Sequence, residues 1–596
     1  MGLRFHEKYL LLIGSVSLGL FILSATLFYF SSSDLSSALQ QQKIREVGNR
    51  RENEEILIRK EVVYRHNLSD NSAQRKNNDY RRNYVKEMMK FAWDGYVAHA
   101  WGQNELNPIT KSGHSGSIFG SAHLGATIVD AADTLYIMGL KEEFEKAKQW
   151  IDSSFDILTA SSDLSVFETN IRYVGGLLSA YALTKEKLFL SKAIQIADLL
   201  LPAFDASSTG IPLALINVQT GKATNYNWAS GGCSILSEFG SIELEFSFLS
   251  KITGNDTYLL KCRKLREYVN KLEKPDGLYP NYLNPNTGKW CQKHISVGAL
   301  GDSFYEYLLK VWLFDEKRDN KLWETYKNAI LAIENKLLFK SKPSNLWYFA
   351  EMKGRELNIK WIIWNRKTYC IEKACFTAGM FALQSLHETD INQRAHYLEL
   401  AEKIGETCHE SYNRTITKLG PESFRFASDI EAKAVRVHES YYILRPEAVE
   451  GWFYLWRVTG KQQYRDWCWE VVEALERHCR ATAGYTGIRN VYSLPVDQDD
   501  VQQSFFLAET LKYLFLTFSE SNKISLDKWV FNTEAHPFPI EISNFINFTE
   551  AFFTQLSGVW VAGMDGLLET RYPKSGVFST RNPTRLISQP VPSLVR

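Results

Sequence analysis

Apolar residues recur at helical spacing from residue 80 to residue 518, and this repetition limits the possible folds more than any other feature. In one segment Leu190, Ala193, Ile194 and Ala197 lie three and four residues apart, as they do along one face of a helix. Strand-like alternation is scarce until the end of the chain, so we predict an all-α fold. The predicted helices are 80–98, 123–139, 141–158, 167–183, 185–203, 229–253, 255–273, 294–315, 317–337, 369–387, 391–411, 440–459, 461–483 and 499–518.

Fourteen helices joined by alternating short and long loops indicate seven helical hairpins. Helix-breaking residues mark the loops, as in Lys274-Pro275-Asp276-Gly277. Hairpins of similar length close naturally into a barrel with an inner and an outer ring of helices. Because the chain contains no exact sequence repeat, this prediction follows only from the number and pairing of the helices.

The helical period fails after residue 526, in the sequence DKWVFNTEAHPFPIEI. Trp529-Val530-Phe531 favours a strand there, because aromatic and β-branched residues suit a pleated surface. A local change of this kind after so many helices often marks a functional region. Residues 541–596 mix apolar pieces with Pro, Ser and Arg, and we predict only a C-terminal extension of unknown structure.

An uncharged run of apolar and small residues from Tyr9 to Phe30 is long enough to span a bilayer. Arg4 and Lys8 precede it, which favours a cytosolic N-terminus and a single-pass type II membrane protein. A cleaved signal peptide is the alternative, but the run is long for one and no clear small-x-small cleavage site follows. The predicted regions are a cytosolic tail (1–8), a transmembrane signal anchor (9–30), a lumenal stem (31–79), a helical domain (80–540) and the C-terminal extension (541–596).

A lumenal location is consistent with two further features of the sequence. The eight cysteines lack C-x-x-C or Cys/His zinc spacing, so a metal–thiolate site is not expected. In an oxidising lumen they can pair as disulfides, although their spacing does not show which ones pair. The net charge of +1 gives no indication of nucleic-acid binding. The glycosylation candidates, each in an Asn-x-Ser/Thr sequon, are Asn67, Asn255, Asn413 and Asn547.

Leu444-Arg445-Pro446-Glu447 opens an apolar helical stretch that ends near Gly460. Pro446 suits the first turn of a helix, so Arg445 and Glu447 fall at a helix N-terminus. The helix dipole stabilises the ionised form of a carboxyl there, which suits a general base. A first-turn Glu is more often a simple cap. We therefore predict a base only if Glu447 belongs to a ring of inward-facing carboxylates.

Glu168 and Arg172 lie four residues apart in VFETNIRYVGG, so a helix places both on one face. An exposed ion pair is the simple alternative. Apolar neighbours, together with Gly175-Gly176, which allow another backbone to approach closely, favour a buried pair instead. Partly apolar surroundings favour the protonated form of a carboxyl, so Glu168 is a candidate proton donor.

Asp302 and Glu306 share a helix face among Phe304, Tyr305 and Tyr307. Like charges at this spacing are tolerated on a surface, but a buried pair needs a cation, a polar ligand or a proton. Acids in such settings fit a polyhydroxylated substrate or an oxygen-binding cation such as calcium. Further acids in similar settings are Glu238, Glu245, Glu450, Glu509 and Glu534.

Eight motifs occur in order between Lys86 and Ile540, and together they resemble the class I α-1,2-mannosidases, glycoside hydrolase family 47. They are AWDGYVAHAWGQNEL, TIVDAADTLYIMG, FETNIRYVGGLLSAY, WASGGCSILSEFGS, GDSFYEYLLK, LRPEAVEG, DDVQQSFFLAETLKYL and FNTEAHPFPI. DGLYPNYLNP and TCHESYNRT are most similar to the Golgi subgroup. The resemblance implies an (α/α)7 barrel, with the segment before Ile540 forming a β-hairpin that plugs one end.

The resemblance also implies roles for individual residues. Glu168 matches the general acid, and Asp302 and Glu447 match the other two key carboxylates, with Glu447 as the usual base. Thr533 would bind calcium directly through its hydroxyl and carbonyl oxygens. Glu450, Glu509 and Glu534 would hold waters around that ion. Residues assigned to the sugar site are Arg172, Arg445, Phe505 and Glu245. The family's disulfide falls on Cys375 and Cys408.

The expected function is that of a calcium-dependent, inverting exo-α-1,2-mannosidase acting on high-mannose N-glycans in the Golgi membrane, with the endoplasmic reticulum as second choice. Glu372 stands where the family usually has histidine, TAGMFALQ replaces the commoner GGMFALG, and the chain continues well past the TEAHP motif. These departures keep a second possibility open, a mannose-binding lectin or quality-control factor with weakened hydrolysis. A purely structural membrane protein is a third possibility, against which the ordered acids argue.

Overall fold

The computed structural model of the protein describes residues 72–120, 122–354, 369–427 and 429–541. The predicted cytosolic tail, membrane anchor and most of the stem lie outside these ranges. Asn67, Asn547 and residues 542–596 of the predicted extension also lie outside them. Within the described ranges, no helix is both long and apolar enough to cross a membrane.

Helices make up most of the described secondary structure, which confirms the mostly helical fold expected from the sequence. Fourteen helices of seven or more residues occur in these ranges, and each overlaps one predicted segment. They are α1 Ser72–His99, α2 Ala126–Met138, α3 Lys141–Ser153, α4 Gly175–Thr184, α5 Lys187–Leu200, α6 Glu243–Thr253, α7 Thr257–Lys271, α8 Asp302–Phe314, α9 Asn320–Leu337, α10 Phe376–His387, α11 Ile391–Asn413, α12 Glu447–Thr459, α13 Gln462–His478 and α14 Leu511–Thr517.

The local sequence explains individual helices, as α9 illustrates. Asp319 caps its first turn by accepting a hydrogen bond from the Leu322 N–H at 3.0 Å. Leu322, Tyr326, Ile330 and Ile333 follow three or four residues apart, and all are buried. The helix therefore packs through one apolar stripe, as surface helices of globular proteins do.

The helices fall into an inner and an outer group by burial. Every residue of α8 from Ser303 to Phe314 is buried, and all of α2 except Tyr136 is buried. In contrast, α3 buries only Phe144, Ala147 and Ile151. A helix buried on all sides has to lie inside the protein, so α2 and α8 belong to the inner group and α3 to the outer group.

Consecutive helices pack against each other as hairpins. The pairs are α2 with α3, α4 with α5, α6 with α7, α8 with α9, α10 with α11 and α12 with α13. Inner helices also contact one another: α4 contacts α2 and α6, α8 contacts α6 and α10, and α12 contacts α10 and α14. The remaining long helix, α1, packs against α14 and so brings the two ends of the helical region together.

Two parts of the secondary-structure prediction were wrong. Helices α6, α8, α10, α12 and α14 begin several residues later than predicted, because short strands, loops or short separate helical turns occupy the preceding residues. Strands are also more numerous than expected, with seventeen in the described ranges, each two to six residues long. Segments this short show too little alternation for the sequence pattern to reveal them. They are β1 Glu105–Asn107, β2 Ser112–His114, β3 Leu164–Ser165, β4 Leu215–Ile216, β5 Ala223–Thr224, β6 Ser234–Ile235, β7 Tyr282–Leu283, β8 Trp290–Ile295, β9 Leu338–Lys340, β10 Trp347–Phe349, β11 Met352–Gly354, β12 Tyr369–Ile371, β13 Ser423–Arg425, β14 Arg480–Ala481, β15 Gly484–Tyr485, β16 Trp529–Phe531 and β17 Pro537–Pro539.

The strands form small antiparallel sheets in the loops between helices. The largest has four strands in the order β11-β8-β7-β6, with Ile235 opposite Tyr282 and Tyr282 opposite Gln292. Its strands lie between α5 and α10 in the chain, and β8 ends at Ile295, shortly before α8 begins at Asp302. Strands β3, β4 and β5 form a second sheet. Strand β3 ends at Ser165, and the short helix Val166–Glu168 follows it at once.

The strand predicted near Trp529 is confirmed as half of a terminal hairpin, in which β16 pairs with β17. Helices from distant parts of the chain surround this hairpin. Phe538 packs on Phe248 of α6, with ring centroids 5.1 Å apart, and Phe531 packs on Phe453 of α12 at 5.9 Å. The hairpin is therefore held in the interior by inner helices.

Two disulfides are present in the described residues. Cys375 and Cys408 are joined, with their Cα atoms 6.0 Å apart, which confirms the predicted pair and ties the start of α10 to α11. Cys233 and Cys291 form a second disulfide that the sequence did not predict.

Candidate active site

The chain between β3 and α4 carries Glu168 and Arg172 on an irregular helical start. Ser165 caps this start by accepting a hydrogen bond from the Glu168 N–H at 3.2 Å. Thr169–Val174 then forms a π-helix before regular α-helix resumes. Turns of this kind are rare and occur frequently at functional sites.

Arg172 is buried and binds three carboxylates. Its Nε donates to Glu168 Oε2 at 2.8 Å, while its Nη1 donates to Asp130 Oδ2 at 3.2 Å and also pairs with Glu534. The guanidinium carbon lies 5.9 Å from the centre of the Phe505 ring. Burial opposes the charge on Arg172, but the charges of Glu534, Glu168 and Asp130 outweigh burial and raise its pKa. The predicted pair of Glu168 and Arg172 is therefore buried rather than exposed.

A chain of buried polar groups connects Arg172 to the terminal hairpin. Asp130, which contacts Arg172, lies 3.7 Å from His536 Nε2, and His536 Nδ1 lies 2.9 Å from Asp133 Oδ2. Lys512 donates to Asp133 at 3.0 Å and to a backbone carbonyl of the hairpin at 2.7 Å. Burial opposes ionisation of Asp133, but the Lys512 and His536 charges lower its pKa to about 2. These contacts fix the hairpin relative to Arg172.

Glu447 is the first residue of α12, so it lies at a helix N-terminus, as the preceding Pro446 predicted. Arg445 Nη1 lies 3.6 Å from Glu447 Oε1, and its Nη2 donates to Glu422 Oε1 at 2.7 Å. The other oxygen of Glu447, Oε2, is buried without a hydrogen-bond partner among the described residues. Buried polar atoms are normally hydrogen-bonded, so this oxygen marks a position suited to a water or a ligand group.

Three further acids lie near Glu447, and we refer to Glu447, Glu450, Glu509 and Glu534 as the acidic cluster. Burial and the charge of Glu306 raise the pKa of Glu450 to about 8. Burial and the charges of Glu534, Glu447 and Glu450 raise the pKa of Glu509 well above its ordinary value. The four carboxyls therefore lie close enough to repel one another, as expected for acids that face one cavity.

Glu238 links Asp302 to Glu168. Burial, followed by the charges of Glu168 and Asp302, raises the pKa of Glu238 to about 8. Its Oε2 is buried without a hydrogen-bond partner among the described residues. Glu306, one turn after Asp302 on α8, instead forms a buried ion pair with Lys310. Of the two acids predicted to share this face, only Asp302 acts electrostatically on Glu238.

The acids with predicted catalytic roles thus lie along one connected set of charges. Glu168 shares the neighbour Glu238 with Asp302, and it shares Arg172 with the acidic cluster that contains Glu447. Segments more than one hundred residues apart in sequence supply these groups. Their individual catalytic roles stay predictions.

Glu245 is fully buried and bonded to protein groups. It accepts hydrogen bonds from the Tyr307 hydroxyl at 2.7 Å, from Asn170 at 2.9 Å and from Asn532 at 2.8 Å. Burial raises its pKa to about 7 despite these bonds. Its predicted contact with substrate stays a prediction, and its observed bonds hold Asn532, the residue next to Thr533.

Thr533 lies at the turn between β16 and β17 and is half-buried, and its N–H donates to the Tyr307 hydroxyl at 3.4 Å. Thr533 and the acidic cluster offer only oxygen donors, which are the ligands that calcium prefers. A cation would also relieve the repulsion within the acidic cluster. Within the described ranges, no group of three or more His, Cys, Asp or Glu side chains is arranged to hold a metal ion. The predicted ligand set is of another kind, with Thr533 as the direct ligand and the acids acting through water.

Residues 88–540 match the family model for glycosyl hydrolase family 47. The chain belongs to this family, which confirms the resemblance carried by the eight sequence motifs.

Individual relatives agree with the family match. The chain is 53% identical over 465 residues to mannosyl-oligosaccharide alpha-1,2-mannosidase IA of Drosophila melanogaster, covering 78% of this chain and 68% of the relative. It is 52% identical over 465 residues to mannosyl-oligosaccharide 1,2-alpha-mannosidase IB of Homo sapiens, covering 78% and 70%. The solved structure of an alpha-1,2-mannosidase from Trichoderma reesei is similar, with a TM-score of 0.69 at 27% identity over 78% of this chain and 99% of that one.

Several buried groups at the site were not assigned from the sequence. Glu105 accepts a hydrogen bond from the Ser504 N–H at 2.9 Å, and burial raises its pKa to about 7. The other unassigned groups are Asp130, Asp133, Lys512 and His536. Asp130 and Asp133 had a signal in TIVDAADTLYIMG, where these two aspartates, three residues apart, interrupt an otherwise apolar helix. Glu372, the departure from the family pattern, lies in the short 3-10 helix Glu372–Cys375, and its side chain is outside the described part.

Proposed function

We propose that the chain is a calcium-dependent, inverting exo-α-1,2-mannosidase that trims terminal α-1,2-linked mannose from high-mannose N-glycans on glycoproteins. Membership of family 47 and the 53% and 52% identity to mannosyl-oligosaccharide mannosidases support the reaction and the substrate class. The observation that carries the proposal is the pairing of Arg172 with both Glu168 and Glu534, a member of the acidic cluster, with Asp302 linked to Glu168 through Glu238.

We propose further that the fourteen helices form an (α/α)7 barrel. The inner helices contact one another in the order α2, α4, α6, α8, α10, α12 and α14, and the π-helical turn before α14 contacts α2. This order supports a closed inner ring, with the terminal hairpin plugging it from within. The contacts of the hairpin with α6, α12 and α14 support that position.

In an inverting reaction, one carboxylic acid protonates the leaving oxygen while a carboxylate activates water on the opposite face of the sugar. We assign Glu168 as the acid and Glu447 as the base, with Asp302 positioning the water or the sugar. The buried Glu447 Oε2 without a partner among the described residues supports a role in holding that water. Inversion requires the acid and base carboxyls to stand roughly 6.5–9.5 Å apart.

The remaining assigned residues would bind and orient. Arg172 fixes Glu168 through its 2.8 Å hydrogen bond, and Phe505 lies against the guanidinium. Arg445 lies beside Glu447 and would hold both that carboxylate and the sugar. Thr533 would bind calcium, with Glu450, Glu509 and Glu534 holding its waters. When bound, calcium would supply a cation that coordinates hydroxyl oxygens of the sugar.

Glu238 adds a proton to this site. A carboxyl whose pKa is near 8 is protonated at neutral pH, so Glu238 adds no negative charge beside Glu168 and Asp302. We propose that the neutral form of Glu238 spares Glu168 and Asp302 the electrostatic repulsion of a further carboxylate.

A pH profile tests the role of Glu238. Because its raised pKa is about 8, the carboxyl ionises above that pH, and wild-type kcat/KM should fall there. Glu238→Gln stays neutral, so this alkaline limb should move to higher pH while the acidic limb is unchanged. The measurement is kcat/KM across neutral and alkaline pH for both proteins. Identical alkaline limbs would show that another group, such as Glu450 with its pKa of about 8, sets the fall.

The stereochemistry of the product tests the inverting scheme directly. Proton NMR of the first-released mannose should show the β-anomer before mutarotation. An α-anomer as first product would contradict the assignment of Glu447 as a base that activates water.

The cellular placement is a further proposal. We propose a Golgi membrane protein of type II topology, with the endoplasmic reticulum as second choice, because Tyr9–Phe30 is long enough to span a bilayer. The proposed regions are a tail (1–8), an anchor (9–30), a stem (31–79), a catalytic barrel (80–540) and an extension (541–596). Asn255 and Asn413 are exposed, which supports their use as glycosylation sites.

A mannose-binding lectin or quality-control factor on the same fold is the alternative. The observation that favours it is Glu372, where the family usually has histidine. A lectin would bind a nine-mannose glycan in calcium and release no mannose from it.

A further inference from the structure

The disulfide between Cys233 and Cys291 lies next to the proposed site. The two residues are 58 positions apart in sequence, and their Cα atoms are 6.7 Å apart. Cys233 directly precedes β6, whereas Cys291 lies on β8, and β7 separates these strands in the sheet. The bridge therefore joins two segments that the sheet's own hydrogen bonds do not join.

A small apolar cluster surrounds this disulfide and is distinct from the main hydrophobic core. It contains Ala229, Cys233, Ile235 and Tyr282, with Tyr226, Cys291 and Leu300 packed against it. Leu300 lies two residues before Asp302, at the entry to α8. The disulfide thus sits in a cluster that connects the loop before β6 with the loop before Asp302.

Residues 226–233, which we call the rim loop, are held mainly by backbone hydrogen bonds within the loop, and the Asn225 side chain donates one more to the Gly232 carbonyl at 2.9 Å. Ser230, Gly231 and Gly232 have φ values of 52°, 77° and 95°. A Cβ atom added at either glycine would meet nothing within 4 Å, so this part of the loop is unpacked. A segment with few packing contacts opens at low free-energy cost unless it is tied down. Ala229 and Cys233 are the buried residues that anchor it.

The rim loop reaches the acids of the proposed site through Tyr226. Burial, followed by the charge of Glu238, raises the pKa of Tyr226, so the Tyr226 hydroxyl lies within electrostatic reach of this acid. The Tyr226 ring stacks on Trp228 with centroids 5.2 Å apart, and Trp228 is 63% exposed. The loop therefore extends from the carboxyls to solvent, and its position determines what a large substrate meets beyond them.

We propose that the Cys233–Cys291 disulfide is a positioning clamp, which holds the rim loop beside Leu300 at the entry to α8 and so favours binding of a branched oligosaccharide over a small substrate. The proposal rests on the proposed mannose-trimming function. A disaccharide occupies only the position at the acids, whereas a branched glycan also extends along the rim loop. Opening the clamp should weaken glycan binding about two- to tenfold, the effect of ordering one side chain on binding, and should affect the disaccharide less.

The two disulfides differ in accessibility, which provides an internal control. Cys375 and Cys408 are 0% and 2% exposed, whereas Cys291 is only half-buried. Exposed disulfides are the more readily reduced, so a mild thiol reductant should open Cys233–Cys291 first. The clamp can then be opened and closed again in the folded full-length chain.

The test compares wild type, mildly reduced wild type and Cys233→Ser/Cys291→Ser. For each, calorimetry gives Kd for a nine-mannose glycan and for α-1,2-mannobiose, kinetics give KM and kcat, and hydrogen exchange follows residues 226–233. Mass spectrometry of alkylated peptides identifies the disulfide that opened.

The clamp predicts weaker glycan binding, faster exchange in the rim loop, a smaller effect on mannobiose than on the glycan, and recovery on reoxidation. Unchanged glycan binding would overturn the proposal, and so would an equal loss on both substrates, which would indicate only general stabilisation. If the double variant does not fold, the reduced wild type decides. If wild type binds but hydrolyses neither substrate, the proposed function fails while the binding measurements still test the clamp.

Discussion

Glu168→Gln is expected to lower kcat on a nine-mannose glycan by about 10²–10⁴-fold, the usual effect of removing a general acid, with glycan binding nearly unchanged. Glutamine has the same shape and still accepts the hydrogen bond that Arg172 Nε donates at 2.8 Å. It has no proton to give to the leaving oxygen. Single-turnover kinetics measure the loss, and calorimetry measures the binding.

A surface variant of the same chemical type is the matched control. Glu145 lies on α3 with its side chain 51% exposed, and among the described residues its ion pair is with Lys148, so Glu145→Gln should leave kcat unchanged. A kcat for Glu168→Gln close to that of Glu145→Gln would remove Glu168 from the role of general acid. Loss of glycan binding in Glu168→Gln would instead indicate that the residue holds the sugar.

Thr533→Ala is expected to weaken calcium binding by at least about 10- to 100-fold, a loss typical even of groups that only support a metal ligand. Thr533 supplies the predicted direct ligand at the hairpin turn, and alanine removes its hydroxyl oxygen. At one hundred times its Kd, a ligand stabilises a folded protein by about 2.7 kcal/mol. Calcium should therefore raise Tm in wild type and have a much smaller effect in Thr533→Ala at the same concentration.

Thr533→Ser keeps the hydroxyl and is the matched control, so it should retain most of the calcium dependence. Calcium titrations of Tm and of mannose release should shift together in Thr533→Ala. If calcium stabilises Thr533→Ala as strongly as wild type, the ion binds elsewhere and the assignment of Thr533 is wrong.

The helices, the terminal hairpin and one disulfide could be predicted because each has a local or family signal. Helical spacing extends over ten or more residues in most of these segments, as it does in α9. The short strands and the Cys233–Cys291 bridge could not be predicted in this way, since β6 has only two residues and the bridge depends on the register of a sheet. Tertiary contacts therefore decide these features.

The candidate site shows the same division. The motifs located Glu168, Asp302 and Glu447. In the structure Glu168 pairs with Arg172 and shares the neighbour Glu238 with Asp302, whereas Glu447 is linked to Arg172 only through Glu509 and Glu534. Partly apolar surroundings were the expected reason for Glu168 to hold a proton, but its carboxyl is paired with the Arg172 guanidinium. Glu238 is the buried carboxyl with a pKa near 8, and one of its oxygens has no hydrogen-bond partner among the described residues. Only the folded chain shows which acid is paired with a cation.

The most direct test of the central claim is mass spectrometry of a nine-mannose glycan incubated with the full-length chain, with and without a calcium chelator. Acids gathered beside a Thr533 calcium site should remove α-1,2-linked mannose one residue at a time. The chelator should stop this release, and added calcium should restore it. A glycan that keeps its full mass in the presence of calcium would contradict hydrolysis and leave the lectin alternative.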